Sequence, residues 1–160
     1  MTKKINTKLI KLIKYYSLIN HNLIYNNHAI NRYKKDGIYS RGSLGKNLKK
    51  LKTAISNIKN CDLKKNSTNL VFADGNPKAK IMIVGEGPGD NEDKEGFPFV
   101  GRAGQLLDNM LKAISLNRKN VYITNVVNYR PPENRKPTEV EISKYLPYLK
   151  KHIEIISPKI

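Results

Sequence analysis

The residues best suited to chemistry stand in Ile81–Gly104 and in the apolar run beyond it. Glu86 lies within Gly85-Glu86-Gly87-Pro88-Gly89, Phe99 within Pro98-Phe99-Val100-Gly101, and Asn125 within Val121–Val127. A carboxylate can orient water and favour a developing cation. A phenyl ring offers a flat apolar stacking partner. A carboxamide meets a donor and an acceptor at once. Glycines let backbone N–H groups approach a ligand closely. Plainer uses stand beside these. Glu86 can bond the N–H groups of its own loop, Phe99 can pack in the core, and Asn125 can cap a turn. The acids Asp90, Glu92, Asp93 and Glu95 can form a solvated loop, and Arg130 and Arg135 can be surface charge.

The elements that must position these residues follow from periodicity. Lys80–Val84 reads as a strand running into the glycine loop, and a helix follows over 103–115. That helix places Leu106, Leu107, Met110, Leu111 and Ile114 on one face. Val121–Val127 is β-branched and reads as a second strand. It leads into the proline-stiffened Arg130-Pro131-Pro132-Glu133-Asn134-Arg135 loop. Thr138-x-x-Glu141 is a capping box that opens a third helix. Upstream, Leu44, Leu48, Leu51, Ile55 and Ile58 give a one-faced helix over 44–59, with Ser43 as its cap. Leu70–Ala73 reads as a short strand, and Asp74-Gly75-Asn76-Pro77 as a turn. Residues 5–19 mix lysines and apolar residues at helical spacing, followed by an irregular linker to 43. The β-α-β-α order implies an α/β fold with a parallel sheet. In such sheets ligands bind beyond the carboxyl ends of strands.

Composition narrows the classes. The chain has 160 residues and a net charge of +17. Residues 1–60 hold 14 Lys/Arg against one acid, and the remainder 16 against 12. A basic N-terminal third suits a polyanion such as DNA or RNA. Abundant Lys, Asn and Ile also fit an AT-rich coding bias. Cys61 is the single cysteine, which excludes an internal disulfide and suits a reducing, cytoplasmic setting. No apolar run approaches the roughly 20 residues of a bilayer span, and no signal peptide is legible. The glycine loop lacks a following Gly-Lys-Ser/Thr, which argues against a P-loop nucleotide binder.

Five motifs stand in order: Ala73-Asp74-Gly75-Asn76-Pro77, Gly85–Gly89, Pro98–Leu107, Tyr122–Val126 and Arg130–Arg135. Together they resemble the uracil-DNA glycosylase superfamily, most closely the family-four bacterial and archaeal type. The likeness covers about residues 70–160. It implies a three-layer α/β/α sandwich with a parallel sheet, and hydrolysis of the uracil–deoxyribose bond in DNA during base-excision repair. It implies that Glu86 positions the attacking water and the backbone of Gly87 holds the base. Glu92 would exclude thymine's methyl group at C5. Phe99 would stack on the flipped base, and Asn125 would bond its Watson–Crick edge. Arg130 and Arg135 would meet DNA phosphates. The domain division expected is a basic, partly helical extension over 1–43 and a glycosylase-like α/β domain over 44–160.

The chain departs from that family in two places. Its members hold a four-iron four-sulfur cluster on four cysteines. Here the corresponding positions are Ile58, Cys61, Tyr129 and Tyr145, so no cluster is expected, Cys61 reads as a buried structural thiol, and the tyrosines fill the space. The family also carries a C-terminal His-Pro-x-x-Leu-Leu motif. His21, His28 and His152 are not followed by proline, and His152 reads as a surface residue. The domain is therefore expected to be incomplete at its C-terminus, monomeric or completed by a C-terminal segment, and weakly active or inactive alone. The alternative is a non-catalytic nucleic-acid-binding remnant of the same fold.

Overall fold

The computed structural model describes residues 43–160. The expected basic helix over 5–19, the linker after it, and His21 and His28 lie outside the described residues.

Helix α1 (Leu44–Ser56) buries Leu51 and Ile55, as its one-faced pattern predicts. Ser43 precedes it, but its backbone is already helical (φ −97°, ψ −13°) and its hydroxyl makes no capping bond. A single turn, α2 (Asp62–Lys65), follows. The strands are β1 (Asp74–Gly75), β2 (Ile81–Gly85) and β3 (Val121–Asn125). Helix α3 (Asp90–Glu95) turns the acidic stretch into an ordered element, and α4 (Arg102–Ala113) follows it. Helix α5 (Glu139–Ile156) opens on the expected box: the Thr138 N–H donates to Glu141 Oε2 at 2.7 Å and the Glu141 N–H to Thr138 Oγ1 at 3.3 Å.

The sheet runs β1-β3-β2. β2 and β3 are parallel, with Gly85 opposite Asn125. β1 is antiparallel to β3, so the sheet is mixed. The expected strand at Leu70–Ala73 is absent, and of the expected turn Asp74-Gly75-Asn76-Pro77 the first two residues form a strand while the chain turns after them, the Ala79 N–H donating to the Asn76 carbonyl at 2.9 Å. The Val71 N–H donates to the Asn128 carbonyl outside any strand, while Asp74 and Gly75 reach β3, where Gly75 takes a φ of +89° that side chains disfavour.

Period-two alternation divides the core into layers. Val121 and Ile123 pack with Leu111 and Leu107 of α4, whereas Tyr122 packs with Ile156 of α5 and Leu48 of α1. Helices thus cover both faces of the sheet. The apolar face expected on α4 splits in two. Leu111 is buried, but Leu106, Met110 and Ile114 are 61%, 60% and 65% exposed. The outer edge of β2 pairs with Ile160. The Ile160 N–H donates to the Lys80 carbonyl at 3.1 Å, and the Met82 N–H to the Ile160 carbonyl at 2.8 Å.

Candidate active site

β2 and β3 end side by side, and their pairing continues one step into the glycine loop. The Val126 N–H donates to the Gly85 carbonyl at 2.8 Å and the Val127 N–H to the Glu86 carbonyl at 3.2 Å. This fixes Glu86 at the carboxyl end of the sheet. Its side chain is exposed.

Gly85 is the point where the predicted residues meet. A Cβ built there would lie 2.3 Å from Asn125 Oδ1 and 2.7 Å from the Phe99 ring. The ring and the amide therefore come together over a bare backbone. Asn125 is only 3% exposed, and its side chain makes no hydrogen bond to a described residue. Every fully buried side-chain N or O atom among the described residues has a partner, so this amide keeps a path to solvent. It is a donor and acceptor pair with no partner among the described residues.

Phe99 adopts a left-handed backbone, φ +57°, a conformation that costs about 1–3 kcal/mol and persists only where surroundings impose it. The surroundings are specific. Glu92 Oε1 accepts from the N–H groups of Val100 at 2.9 Å and Gly101 at 2.8 Å, and Oε2 accepts from Gly89 at 3.1 Å. Glu92 thereby ties the glycine loop to the Phe99 loop. From the other side, the Arg118 guanidinium donates to the carbonyls of Pro98 and Phe99. Gly104 of α4 lies against the same peptide, where a Cβ would fall 1.7 Å from the Phe99 carbonyl oxygen.

Gly87 faces Val127 and the loop beyond Arg130. Glu86, Gly87, Pro88 and Gly89 line a cleft of about 140 Å³ whose far wall includes Pro131 and Arg135. Arg130 and Arg135 are both engaged inside the protein. Arg130 Nη1 donates to Asp90 and Nε to Asn134, each at 2.8 Å. Arg135 holds both Glu141 oxygens, at 2.8 and 2.7 Å. That fork, with the Thr138 bonds, holds the Glu141 carboxyl well below its usual range, at about 2.

The positions that correspond to the family's cluster ligands come together in one place. Ile58, Cys61, Tyr129 and Tyr145 belong to a single buried apolar cluster, with Tyr145 1% exposed. Cys61 Sγ and the Tyr145 hydroxyl are 3.2 Å apart. Burial, and then the thiol beside it, push the Tyr145 hydroxyl pKa up. These residues do not fit an iron–sulfur cluster: one thiolate stands where four are required, and side chains occupy the space between.

One expectation is corrected. His152 is not on the surface but 2% exposed. Its Nε2 lies 2.7 Å from the Tyr122 hydroxyl, and its ring stacks on Phe72 at 4.8 Å. Burial lowers its pKa to about 4. Sequence reasoning also missed Arg118, which is one of 30 basic residues and carries no local signal. It missed Asp93 too, 3% exposed and accepting from the N–H groups of Thr68 and Asn69 at 3.0 Å.

Residues 72–160 match the sequence model of the uracil DNA glycosylase superfamily. A protein named type-4 uracil-DNA glycosylase from Sulfurisphaera tokodaii is 55% identical over 114 residues, 71% of this chain and 52% of that protein. A protein of the same name from Archaeoglobus fulgidus is 51% identical over 106 residues, 66% of this chain and 53% of that one. A third, from Thermotoga maritima, is 50% identical over 100 residues, 62% and 52% of the two chains. The chain spans about half the length of the curated relatives it matches.

Proposed function

The chain belongs to the uracil DNA glycosylase superfamily, and on that premise we propose that it hydrolyses the N-glycosidic bond of uracil in DNA, opening base-excision repair. The observation that carries this reading is the meeting of the Phe99 ring and the Asn125 amide over Gly85, next to Glu86. A base must leave the helix stack to be reached. Phe99 stacks on the extruded ring. Asn125 bonds its edge, and the Gly87 backbone holds it from the loop side. Glu92 borders C5 and leaves no room for a thymine methyl, its three N–H partners keeping it in place. The water oxygen joins C1′ as the C1′–N1 electron pair leaves with the base, and one water proton ends on the base. Glu86 orients that water and favours the sugar cation. Arg130 and Arg135 meet phosphates through the N–H groups that their internal pairs leave over.

In this reading the protein works without an iron–sulfur cluster, its place taken by Ile58, Cys61, Tyr129 and Tyr145. An iron assay and a visible spectrum of the purified protein decide this, and brown, iron-bound protein would refute it. The protein acts as a monomer or with a complementing segment. The pairing begun by Ile160 on β2, and the exposed Leu106, Met110 and Ile114, suit an added strand and helix. Among the described residues no helix is long and apolar enough to cross a membrane. A lone buried thiol suits the cytoplasm.

The test is incubation with single- and double-stranded DNA carrying one uracil. Release of uracil that Asn125→Ala abolishes supports the enzyme. A second reading, non-catalytic nucleic-acid binding, draws on the concentration of positive charge in residues 1–60. It predicts equal binding to DNA with and without uracil and no base release.

A further inference from the structure

We propose that Arg118 is a positioning residue for the stacking ring: it holds the Phe99 peptide in its left-handed conformation and so sets the ring beside Asn125. The proposal rests on the uracil-stacking role given to Phe99 above.

Arg118 stands in the 3₁₀ turn Arg118–Asn120, just before β3. Its guanidinium is engaged on several sides. Nε donates to Asp108 on α4 and Nη1 to Asp74 on β1, each at 2.8 Å. Nη1 also donates to the Pro98 carbonyl at 3.2 Å, and Nη2 donates to the Phe99 carbonyl. The two carboxylates aim the planar fork, and the fork grips two successive carbonyls. Glu92 grips the next two N–H groups, Val100 and Gly101. A cation thus holds the C=O side of the loop and an anion the N–H side, with Phe99 as the pivot. A non-glycine residue at φ +57° relaxes toward the ordinary region unless both grips hold. Relaxation swings the ring off Gly85. Lysine cannot replace the fork, because a single ammonium lacks the planar, multi-donor geometry.

The chain has no tryptophan, so Phe99→Trp introduces a unique reporter. Acrylamide quenching of the introduced indole reads its exposure without any ligand. Titration with a short single strand carrying one deoxyuridine, against the same strand carrying thymidine, reads stacking. With Arg118→Lys added, which keeps the charge, we expect cooperative melting to persist and the quenching constant to rise about threefold. The uracil-specific gain in affinity should fall about tenfold, the size of one lost base–aromatic stack. Affinity for the thymidine strand should not change. Arg118→Met should show the same pattern more strongly. Unchanged indole quenching and unchanged uracil preference in Arg118→Lys overturn the proposal. If the unsubstituted protein, titrated with the same two strands by fluorescence anisotropy, shows no uracil preference, the glycosylase reading fails instead, and the quenching constant alone decides whether Arg118 fixes the ring.

Discussion

Asn125 and Asn128 stand three residues apart, and both are 3% exposed. The Asn128 amide donates to the Val71 carbonyl at 3.0 Å and toward that of Phe72 at 3.4 Å. The Asn125 amide bonds no described residue. The same side chain is a structural pin at Asn128 and is left without a described partner at Asn125. A buried polar group without a partner costs about 1–3 kcal/mol. The molecule avoids that everywhere else among the described residues and comes nearest to it where a ligand would supply the missing bonds. The Cys61 region shows the other extreme. There even the sulfur has a partner, and aromatic side chains fill the space.

The largest effect should come from exchanging these assignments. Asn125→Ala should lower uracil release by roughly 10²–10³-fold, as for loss of one preorganised donor, and leave the melting temperature unchanged or slightly raised. Asn128→Ala should do the reverse. It orphans the buried Val71 carbonyl, while that of Phe72 keeps the Thr124 hydroxyl, and should destabilise the fold by about 1–3 kcal/mol while sparing turnover per folded molecule. Parallel denaturation and single-turnover assays read both, and equal profiles for the two variants would erase the distinction.

In the packed region, Tyr145→Ala should destabilise by about 3–5 kcal/mol through the cavity it leaves. Tyr145→Phe keeps the volume and loses only the contact with Cys61, so urea midpoints should place it within about 1 kcal/mol of the parent.

Two titrations sharpen the comparison further. Buried His152 has its pKa lowered to about 4, so the unfolded chain takes up its proton first, near the ordinary 6.5. Stability should be complete above that value and should fall through the window down to pH 4, by on the order of 3 kcal/mol. His152→Gln should flatten that limb of a stability-versus-pH curve. Glu141 is a carboxyl held at about 2. Its contribution should persist above the ordinary 4.5 and vanish as pH falls toward 2. Because its partner Arg135 is 43% exposed, that contribution should be only about 1 kcal/mol. Acid unfolding of Glu141→Gln, compared with the parent, measures it.

The sequence carried the site further than it carried the supports. The positions of Gly85 and Glu86 at a strand end were legible because a glycine loop after an apolar run marks one, whereas Phe99 and Asn125 became candidates through the resemblance. The α5 start was legible because Thr138 and Glu141 bond each other locally. His152 was misread because its partners, Tyr122 and Phe72, are distant in sequence, and helical spacing alone does not show which polar residue turns inward. β1 was misplaced because Asp74 and Gly75 are turn formers by local preference, and pairing with β3 overrides that preference. Arg118 was missed for the same reason. Its importance lies in partners from three separate segments, none of them adjacent.

Two of the tight glycines of the site, Gly85 and Gly104, differ in what crowds them, and that sets two kinds of genetic lesion. At Gly104 the obstacle is the Phe99 backbone, 1.7 Å from a would-be Cβ, so a substitution there must move a helix or a loop. At Gly85 the obstacles are the tips of two side chains, Asn125 and Phe99, which can swing aside and leave the sheet intact. On the reading proposed above, Gly85→Ala should therefore separate two functions: a chain that melts like the parent and still binds DNA, but has lost its preference for uracil.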